Sequence, residues 1–250
     1  MKDAGEEPDP GLYPELAAED GSLVAALRAT CHRLGVELPG LGETYPPEGL
    51  SSHFAAALKT EFGDVRLELR PEHREVAVTI SMPLVGVAGS GATASLESAV
   101  RIAEAWRAGI PLADMTAQWG FLTVSPEALA HDQGKAVEYE WARVRALSPG
   151  LIDLDLVEAA YATPELRALF PMVAHGSLQF RRRTIAAPGS DIPSLFPAWG
   201  GGWLVTGLPG PGPARRTADT AGEAVGIVVA GLPEGCGPAV EVIHAARHGA

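Results

Sequence analysis

Hydrophobic positions in this chain recur with two different periods, and the places where the period switches mark its elements. Leu23, Leu27, Cys31 and Leu34 recur at helical spacing behind Ser22, and Gly35 supplies a stop, so a helix is predicted there. Ahead of it, residues 1–19 are rich in Asp, Glu, Pro and Gly and read as a disordered acidic tail. Ser51 to Phe62 fits either period, and its alanine run favours helix. Val65, Leu67 and Leu69 then alternate with Arg66, Glu68 and Arg70, and Val76, Val78, Ile80 and Met82 alternate in the next run. With Pro71 to Arg74 between them, these runs predict an antiparallel hairpin that is polar on one side.

Gly89, Gly91 and Ala94 match the spacing of a dinucleotide-binding turn. The preceding strand belongs to a hairpin, and no parallel strand with a terminal acid follows, so a plain glycine-rich turn with Thr93 as N-cap is expected. A helix from Ala94 to Ala108 places Leu96, Val100, Ala103 and Trp106 on one face and stops at Gly109. Pro111 opens a short helix carrying Leu112, Met115 and Trp119. Ser125 to Leu147 reads as a helix pair broken at Gly134, with Val137, Trp141 and Val144 inward.

The densest stretch runs from Asp153 to Ile185. Leu154, Val157 and Tyr161 share a helical face. Thr163 then offers an N-cap, Pro164 a first helical position, and Pro171 an end. His175-Gly176 makes a turn into a strand in which Leu178, Phe180, Arg182 and Thr184 share one face. If Leu178 and Phe180 point at the core, Arg182 continues the inward row, where a guanidinium needs a partner or a ligand. The competing reading sets Arg182 just past the core edge, salt-bridged or wet. Further on, three glycines separate Trp199 from Trp203. They read as a turn into a strand Trp203 to Leu208, or as the hinge of a lid carrying an aromatic. Thr220 and Glu223 form a capping box before the stripe Val225, Val228, Val229 and Leu232. Val240 to Ile243 reads as a last strand.

Early strands, a block of helices and late strands predict an α+β fold, with an antiparallel sheet and helices packed mainly on one face. The strands near 65–82, 177–184 and 203–208 are expected to share that sheet. Residues 20–250 are expected to form a single domain, with a possible subdivision near 150.

Composition narrows the function classes. Net charge is −12 over 250 residues, so no nucleic acid partner and no anionic membrane partner is expected. No signal-peptide pattern and no spanning apolar run occurs, which predicts a cytoplasmic protein. The two cysteines fit that compartment. Cys31 reads as an inert core thiol. Cys236, in a Gly/Pro loop, reads as a structural residue in preference to a catalytic thiol, since no neighbour in sequence lowers its pKa. There is no CxxC, HExxH or nucleophile-elbow motif, so neither a metal nor another cofactor is expected. Cofactor-free acid–base or binding chemistry remains. His175 is the best titratable candidate, with Arg182 and Tyr161 beside it as catalytic candidates. His175 is equally readable as a turn residue. Arg167, Asp191, Trp199 and Trp203 are candidate substrate-binding residues.

The run Pro164 to Pro171, followed by Ala174 to Phe180, an arginine and Thr184, resembles the central motif of an actinobacterial family. That family comprises natural product biosynthesis proteins built on a domain of unknown function, with the pattern P-x-L-R-x-L-x-P and then S-H-G-x-L-x-F-S-R. Trp106 with Gly109 upstream, and Ala224 to Val240 downstream, extend the resemblance. Ala174 and Arg181 stand where the family pattern has serines. The resemblance implies a biosynthetic setting, and two functions of different class fit it. One is a cofactor-independent tailoring enzyme acting on a ribosomally made peptide or small intermediate, for instance a metal-free thioether cyclase. The other is a non-catalytic protein that binds a precursor peptide or another biosynthetic enzyme. A homodimer is compatible with either.

Overall fold

The computed structural model describes residues 7–45, 48, 50–83, 85–184 and 191–248. The chain divides into two compact units, Met1–Asp132 and Gln133–Ala250, where the periodicity had indicated one domain. The fold is α+β, with two antiparallel sheets, and each unit holds its own.

In the first unit, α1 (Pro14–Ala17) and α2 (Leu23–Leu34) precede the sheet. Tyr13 and Leu16 are buried, so among the described residues the stretch from 7 to 19 is packed structure, not the expected tail. Ser22 caps α2 by accepting from the Ala25 N–H, and Gly35 closes it in the left-handed region at φ 64°. The sheet is a meander of β1 (Leu41–Glu43), β2 (Ala55–Thr60), β3 (Gly63–Leu69), β4 (Val76–Met82), β5 (Gly86–Thr93) and β6 (Thr123–Val124). The expected hairpin is β3–β4, with Val65 opposite Ile80, Leu67 opposite Val78 and Leu69 opposite Val76. β2 lies where helix was favoured. Alanine's helix propensity, worth under about 1 kcal/mol per residue, yields there to pairing with β1 and β3.

Gly89 to Thr93 is strand, not turn, and the reason lies elsewhere in the chain. A Cβ on Gly91 would stand 2.6 Å from the Phe121 carbonyl oxygen, so the glycine admits the 121–124 backbone. The next helix, α3 (Leu96–Arg107), is capped by Ser95 rather than Thr93. Its face Leu96, Val100, Ala103 and Trp106 is buried as the spacing predicts, and α3 packs with α2 against the sheet. Each large apolar side chain so buried contributes on the order of 2 kcal/mol. α4 (Leu112–Gln118) and α5 (Pro126–Asp132) complete the unit.

In the second unit, α6 (Ala136–Arg145), α7 (Leu154–Ala162) and α8 (Pro164–Arg167) lead into β7 (Phe170–Ala174) and β8 (Ser177–Arg181). Pro171 lies inside β7 rather than ending a helix. β7 is an edge strand, where the missing N–H costs no ladder bond. Thr163 does not cap α8; its hydroxyl donates to the Ala159 carbonyl at 2.9 Å instead. β9 (Ser194–Pro197), β10 (Trp203–Thr206) and β11 (Arg215–Ala218) follow, giving the sheet order β11-β10-β9-β8-β7. Strands 177–181 and 203–206 therefore share a sheet, but 65–82 belongs to the other one. α9 (Ala221–Ala230) packs on this sheet and on α7. α10 (Val242–His248) stands where a last strand was expected, and Val240 makes only a single parallel bridge to Arg183. Ile185 and the start of the Pro/Gly region after it lie outside the described residues. No helix is long and apolar enough to cross a membrane among the described residues.

Candidate functional site

The β7–β8 hairpin turns on two residues, His175 at φ 50° and Gly176 at φ 75°. Consecutive positive φ values match the right-handed twist of the strands, and histidine tolerates that region better than branched residues do. Ser177 is fully buried and its hydroxyl closes the turn, donating to the Ala174 carbonyl at 2.5 Å. The turn is wedged between two other segments. A Cβ on Gly176 would lie 3.7 Å from Pro197 Cγ and 3.9 Å from the Leu151 carbonyl oxygen.

Two clefts adjoin at this point and share Gly150, Leu151 and Gly176. The first holds about 510 Å³, with Arg143, Val173 and His175 in its walls. The second holds about 500 Å³ and carries the carboxylates of Asp153, Asp155 and Asp219, with Trp203 in its wall. Asp153 also caps α7, accepting from the N–H groups of Asp155 and Leu156. Ala198, Gly201 and Gly202 line the second cleft, and they belong to the hairpin loop that carries Trp199. That loop is closed by the Ala198 N–H donating to the Gly202 carbonyl at 3.0 Å, and it runs straight into β10. The turn reading is therefore the observed one. Trp199 is 106% exposed at its tip, and Leu151 is 56% exposed on the ridge between the clefts.

The other sequence-predicted residues are dispersed. Leu178 and Phe180 are buried as expected, but β8 ends at Arg181 and the chain bends at Arg182. Arg182 is consequently exposed, not inward. Its Nη1 meets Asp191 Oδ2 at 2.9 Å in a solvent-screened pair, and Thr184 takes the buried place. Tyr161 stacks under Arg145 at 4.1 Å and near Arg167 at 5.7 Å, edge-on to Trp141 at 5.4 Å. None of Tyr161, Arg167, Arg182 and Asp191 lines the cleft of His175. Trp203 is a core residue with one side toward the acidic cleft.

The thiols are placed for packing. Burial pushes the Cys31 thiol up, with the Glu104 charge adding to it. Burial also raises the Cys236 thiol, against a smaller opposing pull from Arg182. Neither is held as a thiolate at neutral pH. Among the described residues no cluster of His, Cys, Asp and Glu could hold a metal ion.

Residues 135–243 match the model of a family of unknown function, DUF6193. The matched segment lies within the second unit and contains every lining residue of both clefts, whose walls run from Arg143 to Ala221. It covers less than half of the chain. No curated protein and no solved structure matches the chain.

Periodicity could not have found Leu151, Asp155 or Asp219, because exposed residues in loops and at helix starts carry no repeat. One signal was present: Pro149-Gly150 ahead of the capping Asp153 marks a loop rim next to a helix start.

Proposed function

We propose that the second unit is a peptide-binding module, working in the cytoplasm in the biosynthetic setting that the motif resemblance implies. Its ligand is a basic, partly apolar peptide segment of a precursor or partner protein. The observation that carries this reading is the pairing of an exposed aromatic with an acidic cleft. Trp199 and Leu151 offer apolar surface that water would otherwise cover, and Asp153, Asp155 and Asp219 stand beside it. Such a surface attracts lysine and arginine side chains electrostatically and stacks their stems or guanidinium planes on the indole.

The dispersal of the acid–base candidates supports binding over cofactor-free catalysis. His175 and Arg143 share one cleft, while Arg182 is neutralised by Asp191 outside it. A ring-closing enzyme needs a base, a proton donor and a shaped pocket within hydrogen-bond reach of one another.

A fluorescein-labelled lysine- and leucine-rich peptide, titrated by anisotropy, tests the reading. Wild type is expected to bind it with an affinity that falls on adding salt, and Trp199→Ala and Asp219→Asn are expected to weaken binding. If a precursor peptide were instead turned over, and His175→Ala abolished turnover without changing binding, the catalytic reading would replace this one.

A further inference from the structure

Among the described residues, the β11 edge of the same sheet is unpaired. β11 is an edge strand that pairs only with β10 among the described residues, and Arg215, Arg216 and Thr217 are all exposed along it. At its start is a small pocket of about 250 Å³, lined mainly by apolar side chains. Leu208, Pro209 and Pro213 line it together with Ile227 and Ala230 of α9, and Arg216 is its one charged residue. Gly231 lets the chain after α9 pack closely on Pro193 and Leu208, since a Cβ there would come within 2.9 Å of Pro193 Cγ and 3.0 Å of Leu208 Cδ2. Neither Arg215 nor Arg216 has an ion-pair partner among the described residues.

We propose that this groove receives the C-terminal end of an extended peptide, which pairs antiparallel to β11 and places its last side chain in the pocket and its carboxylate on Arg216. The direction follows from the geometry. A strand antiparallel to β11 ends where β11 begins, at Arg215 and Arg216, and that is the end where the pocket lies. The main chain supplies affinity through the unpaired edge, the pocket selects an apolar last residue, and the guanidinium selects a free carboxylate. Charged residues on an edge strand also serve to keep copies of a protein apart. That role accounts for Arg215 and Arg216 but not for a pocket beside them, and β11 itself contains no proline to block pairing. The groove shares no residue with the clefts at Leu151, so it stands or falls independently of the function proposed above.

The probe is a labelled peptide of about eight residues, rich in Thr and Val and ending in leucine, made with a free C-terminal carboxylate and also as the amide. Anisotropy is expected to show the free acid binding roughly tenfold tighter than the amide, because a charge-assisted pair is lost in the amide. Arg216→Ala should abolish that preference while circular dichroism and melting stay those of wild type. Thr217→Pro should weaken both peptides by removing an edge N–H. Equal binding of acid and amide overturns the proposal, as does wild-type binding weaker than about 1 mM. A preference that survives Arg216→Ala overturns it too.

Discussion

Two hairpins, one in each unit, handle their loops in opposite ways. The β3–β4 loop is closed by the rest of its unit. The Tyr13 hydroxyl donates to the Arg70 carbonyl at 2.6 Å and accepts from the N–H groups of Arg70 and Glu75 at 3.1 Å each. The Arg74 guanidinium grips Glu15 through contacts of 2.6 and 3.0 Å. Among the described residues the β9–β10 loop is closed by its own backbone hydrogen bonds, and it presents Trp199 bare to solvent. A loop whose polar groups are satisfied by distant side chains is part of the stability of its unit. A loop that spends no side chain on its surroundings leaves an aromatic free to meet something else. That contrast separates residues that hold the fold from residues left open to solvent better than residue type does.

The contrast can be broken most severely at Tyr13. Tyr13→Ala should destabilise the first unit by about 3–5 kcal/mol, through the lost ring and the cavity left behind. Tyr13→Phe should cost about 1–3 kcal/mol by stranding polar groups of the loop. Chemical denaturation followed by circular dichroism measures both, and a Tyr13→Phe midpoint equal to wild type would show that the hydroxyl closes nothing.

The glycines of the other loop give a smaller, graded test. At Gly202, φ is 72° and a Cβ would stand 2.5 Å from the Ala218 carbonyl oxygen. Gly202→Ala should therefore cost about 1–3 kcal/mol by straining β10 against β11. At Gly200, φ is 96° but nothing lies within 4 Å of the added Cβ. Gly200→Ala then carries only the backbone term, about 1 kcal/mol. Equal losses at the two positions in a melting series would mean that Ala218 yields freely.

Trp199→Ala should leave stability within about 0.5 kcal/mol of wild type, since the indole touches no core. A large fall in melting temperature would move Trp199 from the functional to the structural side of the comparison.

The smallest effect is a pH dependence at Glu15. Burial pushes its carboxyl up, but the hydrogen bond and charge of Arg74 outweigh that and hold it below the ordinary 4.5. A depressed folded-state value adds stability that is present above 4.5 and is lost as pH falls through the lower folded value. Glu15→Gln should flatten that part of the acid limb, measured by melting from neutral pH downward. An unchanged acid limb would remove the Arg74 pair from the account of the closed hairpin.

The closed hairpin was legible in the sequence, and most of the open site was not. Val65 to Met82 alternates with a buried face, and burial is what makes a period visible. Gly89 and Gly91 were misread because their reason is the backbone at Thr123 and Phe121, remote in sequence. Arg182 was misplaced because alternation was carried past Arg181, where the strand ends and direction is no longer set by pairing. His175 and Trp199 were found as candidates because turn chemistry and a glycine run are local signals. Leu151, Asp155 and Asp219 meet only through the fold.

Acrylamide quenching of tryptophan fluorescence tests the central claim most directly. Trp106, Trp141 and Trp203 are buried and Trp119 is half-buried, so Trp199 at 106% exposure should supply the largest quenchable component. The lysine- and leucine-rich peptide should reduce quenching in wild type, and Trp199→Phe, left with the smaller Trp119 contribution, should lose the larger quenchable component and the protection. Quenching of Trp199 that is unchanged at peptide concentrations saturating the anisotropy signal would contradict the account, because the peptide would then be bound away from the open hairpin.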